Sequence, residues 1–325
     1  MVRSAIVRSL AKINLDLRVL HKNTDGFHEL RTVFQTISLH DTLVVEYEEA
    51  RRTELTLDDP LAIPDNLVLR AARAVLDALR VRARISFSLE KRVPMGGGLG
   101  GGSSNAAAVL LALPVLAGHA LPLETLIEIG TQLGSDVPFF LTGGTAMGFG
   151  RGAELYPLPE IAEDPVLVVS PGFHVSTGPA YAALNRQLTF TGSSRSISGF
   201  QAYVRALGEQ RSAVAACGLG ANDFEPVVFG QFPKLKTIAG KLRKAGARGV
   251  RMTGSGSALV ALFESGTLFE SGRERTRKSL TGGIGNAIEA ALVSRRSYQR
   301  LWRHALREHL TVEQKLWPPR SRYER

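Results

Sequence analysis

The chain has 325 residues, 44% hydrophobic and 22% charged, with a formal net charge of +10. That length allows two ordinary domains, and no stretch approaches the ~20 apolar residues of a membrane span, so no membrane partner is expected. The single cysteine, Cys217, excludes an internal disulfide and suits a cytoplasmic protein, while the charge is uneven: residues 265–325 hold thirteen Lys/Arg against six Asp/Glu, which leaves the first 264 residues nearly balanced and gives little reason to expect nucleic acid as a partner.

The acid-free start, MVRSAIVRSLAKINL, has the composition of a transit peptide, but AKINLDLRVL is needed as a strand and leaves too little chain for a removable leader. In that strand Ile13, Leu15, Leu17 and Val19 alternate with Lys12, Asn14, Asp16 and Arg18, the period-two pattern of a half-buried strand. A turn follows at Asn23-Thr-Asp-Gly26, then further strands at 32–39 and 41–49 and a strand and turn at 51–60. Residues 66–79 have apolar positions at helical spacing, with Asp65 as the expected N-cap. Ile85, Phe87 and Leu89 alternate again in the strand that precedes PMGGGLGGGSSN (94–105). A helix is expected after the glycines, capped by Ser103 and Ser104 and ended or kinked at Pro114. Residues 121–134 form an amphipathic helix stopped by glycine, and a loop and short glycine-rich strands follow. The strand and helix pattern restarts after a soft boundary near 150–160. The whole reads as α+β, with antiparallel or mixed sheets covered by helices on one side.

Three phosphate-binding templates compete for the glycine stretch. The P-loop spacing is met by Gly97 and Gly102, but Ser103 stands where a lysine is required. The dinucleotide fingerprint is met by Gly96, Gly98 and Gly101, but six glycines in seven positions make such a match nearly automatic, and the preceding strand alternates where a central parallel strand is continuously apolar. The third template is a glycine turn that exposes backbone N–H groups and runs into a helix N-terminus, where orphan donors and the dipole favour an anion. Two further stretches are compatible with phosphate chemistry. Thr253-Gly-Ser-Gly-Ser257 is a second small-residue turn before an apolar strand, and Asp136 opens an otherwise apolar segment, where a carboxylate is costly unless capped, paired or used. Lys12 is its natural partner unless that lysine is a solvated edge residue.

AKINL, PMGGGLGGGSSNAA and MTGSGSALVALF, in that order, resemble the GHMP kinase superfamily, named for galactokinase, homoserine, mevalonate and phosphomevalonate kinases. NTDGFHEL, PDNLVLRAA and GSDVPFF narrow the resemblance to the branch whose acceptor is a cytidine-diphosphate-linked sugar alcohol, over residues 4 to 264. The resemblance implies a two-domain fold with the active site between the domains, one domain over 1–155 and the second over 156–264. It implies ATP with a Mg²⁺ ion held largely by phosphates and water, with no metal ligand set in the protein, and a monomer or homodimer. By match to the family, Asp136 is the base and Lys12 its partner. Pro94, Met95, Gly96, Gly97, Gly98, Leu99, Gly100, Gly101, Gly102, Ser103 and Ser104 wrap the ATP phosphates, and Asn66, Leu67 and Lys91 lie on the nucleotide side. Asn14 and His28 match positions at the cytidine end, with Phe27 and Tyr181 as aromatic walls. Homoserine- or mevalonate-type kinases are the alternatives, together with a nucleotide- or RNA-binding protein without turnover.

The ending departs from the family pattern. Residues 265–325 form an atypical basic tail after a doubled LFESG (262–266 and 268–272), expected to be altered or disordered, with an appended helical extension as an alternative. Tyr298, Trp302 and His309 near arginines admit an RNA-binding alternative.

Overall fold

The computed structural model describes residues 1–22, 28–184, 190–210, 219–264, 267–279, 285–311 and 316–323. Its N-terminal half runs β1 (Arg3–Lys22), β2 (His28–Glu49), β3 (Glu54–Asp58), α1 (Leu67–Leu79), β4 (Ala83–Glu90), α2 (Gly101–Ala117), α3 (Leu123–Leu133), α4 (Val137–Thr142), β5 (Thr145–Gly150) and β6 (Glu154–Pro157). The rest runs β7 (Pro165–Ser170), α5 (Thr177–Leu184), α6 (Phe190–Gln210), α7 (Glu225–Gln231), α8 (Pro233–Lys244), β8 (Gly249–Met252), β9 (Leu259–Leu262), α9 (Thr267–Ser279), β10 (Asn286–Ala291) and α10 (Arg295–Ala305).

β1 and β2 pair antiparallel from Arg3 opposite Tyr47 to Lys22 opposite His28. The other edge of β2 is shared, by β4 along Thr42–Glu49 and by β5 along Leu30–Gln35. β3 lies parallel to β4, so this six-stranded sheet is mixed, whereas β10-β7-β9-β8 is antiparallel throughout. This is the α+β, mixed-sheet architecture expected.

β1 passes through three hydrophobic clusters. Ala5, Val7 and Leu10 pack with α1, α2 and β4, Ile13 and Leu15 with β7 and β9, and Leu17 and Val19 with α7 and α8. From Ser9 to Leu17 the strand is therefore buried on both faces rather than half-buried: Lys12, Asn14 and Asp16 are 3%, 5% and 1% exposed. Register shifts between Leu10 and Lys12 and between Asn14 and Asp16 mark irregularities on both sides of Lys12–Asn14. An extra residue at a bulge bends the strand and re-aims its neighbours, which is how a polar pair comes to stand between apolar clusters.

Three helix boundaries differ from expectation. The N-cap of α1 is Asn66, whose side chain accepts from the Val68 N–H at 3.0 Å, while Asp65 takes a left-handed φ of 51°. α2 starts at Gly101 from a Gly100 N-cap with no side-chain cap, so Ser103 and Ser104 lie inside its first turn. Pro114 does not end α2, which continues to Ala117. From Ser104 to Ala117 this helix is buried all round, and its packing outweighs the one hydrogen bond that the proline removes. Residues 137–142, expected as loop, form α4.

The largest correction is the tail. β10 extends the second sheet, pairing with β7 from Asn286 opposite Ser170 to Ala291 opposite Pro165. α10 starts at Ser294, whose hydroxyl accepts from the Ser297 N–H at 3.1 Å, and lays Tyr298 and Trp302 into the first hydrophobic cluster at 1% and 3% exposure. The Tyr298 hydroxyl donates to the Phe140 carbonyl, and the Trp317 indole donates to Leu141 O at 2.9 Å. Both bonds satisfy carbonyls that the short α4 leaves without helical partners. His309 is also buried and its Nε2 lies 2.8 Å from Ser4 O, so the three residues that suggested base stacking are committed to the interior. The expectation of an altered or disordered ending therefore fails for the described residues. Leu262-Phe-Glu264, the described part of the first LFESG, runs off the end of β9, whereas Leu268-Phe-Glu270 of the second lies on α9.

Candidate active site

The chain leaves β4 through Lys91 and enters the glycine turn at Pro94. Gly96, Gly98 and Gly100 take φ values of +64°, +76° and +71°, a left-handed conformation that side chains disfavour. All three are also sterically closed, Gly96 by the His174 ring. A Cβ on Gly98 would run into the Thr253 carbonyl, and one on Gly100 would stand 2.8 Å from the Phe140 ring and 3.1 Å from Cγ of Lys12. The glycines thus bring the turn against the Thr253 turn on one side and against Lys12 on the other. The N-terminus of α2 opens into a cavity of about 450 Å³ lined by Asn66, Leu67, Lys91, residues 94–103 and Asn105. Of the residues expected at the nucleotide, Ser104 is the exception. Its hydroxyl is buried and donates to Leu10 O at 2.7 Å, so it supports the turn from behind and does not line the cavity.

Lys12 and Asp136, 124 positions apart, meet beside this turn with Nζ 3.4 Å from Oδ2. The lysine side chain is 4% exposed and the carboxylate 29%, so the ammonium is enclosed while the carboxylate remains open to a ligand. Lys12 Nζ also donates to Asn14 Oδ1 at 2.9 Å, and its backbone N–H donates to Leu99 O at 3.0 Å. A buried cation requires such partners, because desolvation costs it more than one neutral contact returns. Asp136 is the N-cap of α4 but makes no side-chain cap bond, which leaves its oxygens for chemistry.

Asn14 stands with this pair rather than beside His28. Its Oδ1 accepts from Lys12 and from the Gly254 N–H at 2.9 Å, its Nδ2 donates to Thr32 Oγ1 at 2.7 Å, and its backbone N–H reaches Thr253 Oγ1 at 3.1 Å. One buried amide thus ties the Thr253 turn to the strand that carries Lys12, and the Lys12 N–H ties the glycine turn to the same strand. His28 and Tyr181 stack with centroids 4.7 Å apart and planes at 28°, and Phe224 meets Tyr181 edge-on at 4.8 Å. Burial, with the Asp136 charge as a smaller cause, pushes the Tyr181 phenol up to about 12, so it stays neutral at physiological pH. Phe27 lies outside the described residues.

Sequence reasoning missed Asp41, which stands behind the cavity wall. Asp41, fully buried, pairs with Lys91 and accepts the Arg92 and Val93 N–H groups at 2.8 Å each. Asn105 is 3% exposed, lines the cavity, and has an Oδ1 with no hydrogen-bond partner. Asp41 belongs to no motif and only the pairing of distant segments reveals it, whereas Asn105 closes the glycine motif itself. Among the described residues no group of three or more His, Cys, Asp and Glu is placed to hold a metal. The orphaned amide oxygen of Asn105 and the Ser103 hydroxyl are hard oxygen donors, a set that fits Mg²⁺ carried on phosphates rather than caged by protein.

The family model of the GHMP kinases N terminal domain matches residues 66–144 and that of the GHMP kinases C terminal domain matches residues 200–280. A 4-diphosphocytidyl-2-C-methyl-D-erythritol kinase of Solibacter usitatus is 52% identical over 325 residues, covering 99% of this chain and 98% of its own, and so includes nearly all of the 265–325 segment. One from Geobacter sp. is 40% identical over 257 residues, 78% of this chain and 88% of its own. A crystal structure of a 4-(cytidine 5'-diphospho)-2C-methyl-D-erythritol kinase superposes with a TM-score of 0.71 at 35% identity, covering 90% of this chain and 99% of that one. A homoserine kinase of Cytophaga hutchinsonii reaches a TM-score of 0.70 at 18% identity and shares the fold.

Proposed function

This chain belongs to the 4-diphosphocytidyl-2-C-methyl-D-erythritol kinases of the GHMP family, and from that premise we propose that it transfers the γ-phosphoryl group of ATP to the 2-hydroxyl of 4-diphosphocytidyl-2-C-methyl-D-erythritol, a step of the non-mevalonate isoprenoid pathway, in the cytoplasm. The observation that carries the chemistry is the Lys12–Asp136 pair, 3.4 Å apart beside the glycine turn. Phosphoryl transfer asks chiefly for positioning and charge stabilisation. The free N–H groups at the start of α2 and the Lys91 ammonium receive the ATP phosphates, while Asn66 and Leu67 border the nucleoside side. Asp136 accepts the proton of the acceptor hydroxyl as its oxygen bonds to the γ-phosphorus and the bond to the β-phosphate oxygen breaks, releasing ADP. Lys12 holds the Asp136 carboxylate in place, orients the hydroxyl and offsets the charge that develops on the transferred group. Ser103 and Asn105 would hold Mg²⁺ together with the phosphates; bound there, the ion neutralises phosphate charge.

The His28–Tyr181 stack supports a cytidine acceptor over homoserine or mevalonate, because a flat, mostly buried aromatic surface suits a base and has no counterpart in those small acceptors. A purely binding role is disfavoured by the pairing of an enclosed lysine with an accessible carboxylate at the phosphate end. The test is ATP consumption with three acceptors, the cytidine-diphosphate-linked alcohol, homoserine and mevalonate. Turnover is expected with the first alone; turnover confined to either of the others contradicts the proposal.

A further inference from the structure

Asp41 lies at the point where the β2–β4 ladder ends. The last paired residues are Thr42 and Glu90, and one position further Asp41 faces the chain as it departs toward the glycine turn. Its carboxylate takes over from the ladder. Oδ1 accepts both the Arg92 and the Val93 N–H, and Oδ2 pairs with the Lys91 ammonium. The carboxylate is wholly buried, and the Lys91 side chain is 10% exposed. A buried carboxylate is tolerated only with such saturation.

The placement of Lys91 is the informative part. Its Nζ lies 3.2 Å from the point that a Cβ on Gly101 would occupy, and Gly101 is the first residue of α2. A cation at a helix N-terminus faces the positive end of the dipole, an unfavourable arrangement for the empty protein. It becomes favourable when an anion joins the N–H groups and the ammonium together. We infer that Asp41 is a positioning residue for nucleotide binding: it holds the Lys91 ammonium over the α2 N-terminus against the dipole and fixes the backbone of Arg92 and Val93 from which the glycine turn departs. Asp41 does not line the cavity, so it acts through Lys91 and the turn rather than by touching ATP. The inference rests on the proposed ATP site.

Asp41→Asn retains an oxygen for the backbone donors and removes the charge that holds Lys91. The Kd for a non-hydrolysable ATP analogue, measured by calorimetry on the full chain, is expected to rise about 10-fold. KM for ATP should rise with it, while KM for the cytidine acceptor stays within twofold and kcat at saturating ATP within about threefold. Lys91→Met is expected to weaken the analogue similarly, and the double variant no more than Lys91→Met alone. A folded Asp41→Asn protein with parental analogue affinity, or a double variant whose losses multiply, overturns the inference. If Asp41→Asn does not accumulate as folded protein, Lys91→Met decides: unchanged analogue affinity overturns it. A parent chain that binds the analogue but leaves the cytidine acceptor unphosphorylated overturns the proposed function and not this inference.

Discussion

Residues 94–104 and residues 294–311 meet at one residue, Phe140. Gly100 leaves room for its ring on one side, and Tyr298 donates to its carbonyl on the other. The two regions reach that point by opposite means. The glycine turn is specified locally, through left-handed backbone and missing Cβ atoms, and its purpose is written in its own letters. The C-terminal segment is specified by what it touches. Its Arg-rich sequence conceals an amphipathic helix whose Tyr298 and Trp302 complete a core begun by residues near 5 and 110. The contrast predicts that damage to the first region changes ligand handling with little change in folding, and that damage to the second does the reverse.

The largest effect is expected from Trp302→Ala. Truncating a buried tryptophan costs roughly 3–5 kcal/mol, a large share of the 5–15 kcal/mol that holds a domain together. Thermal denaturation should show a drop of many degrees, while the fraction still folded keeps both parental KM values; a parental Tm would mean that the segment is not core. Next is Gly98→Ala. The left-handed backbone alone costs a non-glycine residue about 1–2 kcal/mol, and the new methyl group meets the Thr253 carbonyl. KM for ATP is expected to rise about 10-fold or more with acceptor KM little changed, and an equal rise in both would erase the distinction between turn and acceptor wall. The smallest is at Tyr181. Base–aromatic stacking is worth about 1–3 kcal/mol, so Tyr181→Ala should raise acceptor KM roughly 10-fold. Tyr181→Phe should leave it within about twofold, since the phenol is neutral throughout pH 6–9 and the ring is retained. A larger loss in the phenylalanine variant would mean that the hydroxyl, not the ring, binds substrate.

The same contrast explains how much could be read in advance. Strand periodicity located β1 and β4, and the glycine turn and Asp136 were legible because each breaks a local pattern: too many glycines, or a charge opening an apolar run. Lys12 fits the alternation of its strand and was set apart from a solvated edge lysine only through the family resemblance. The double burial of β1 was not legible, because alternation reports two faces without saying that the polar one is covered by the Thr253 turn and α2. Asn66 displaced Asp65 as cap because cap choice depends on which side chain reaches the second helical N–H. Asp41 is one acid among ordinary strand residues until β4 ends opposite it. The tail misled for a physical reason as well. Charge dominates its composition, but Arg296 and Arg300 face solvent while Tyr298 and Trp302 between and beyond them do not.

In the proposed reaction Asp136, held by Lys12, accepts the acceptor proton. The most direct test is single-turnover phosphoryl transfer by Asp136→Asn, beside thermal denaturation and binding of both substrates. General-base removal typically costs 10²–10⁴-fold, so the rate constant should fall at least about 100-fold, with both affinities and the Tm close to those of the parent. A rate within a few-fold of the parent would contradict the assignment of the base and, with it, the role given to Lys12.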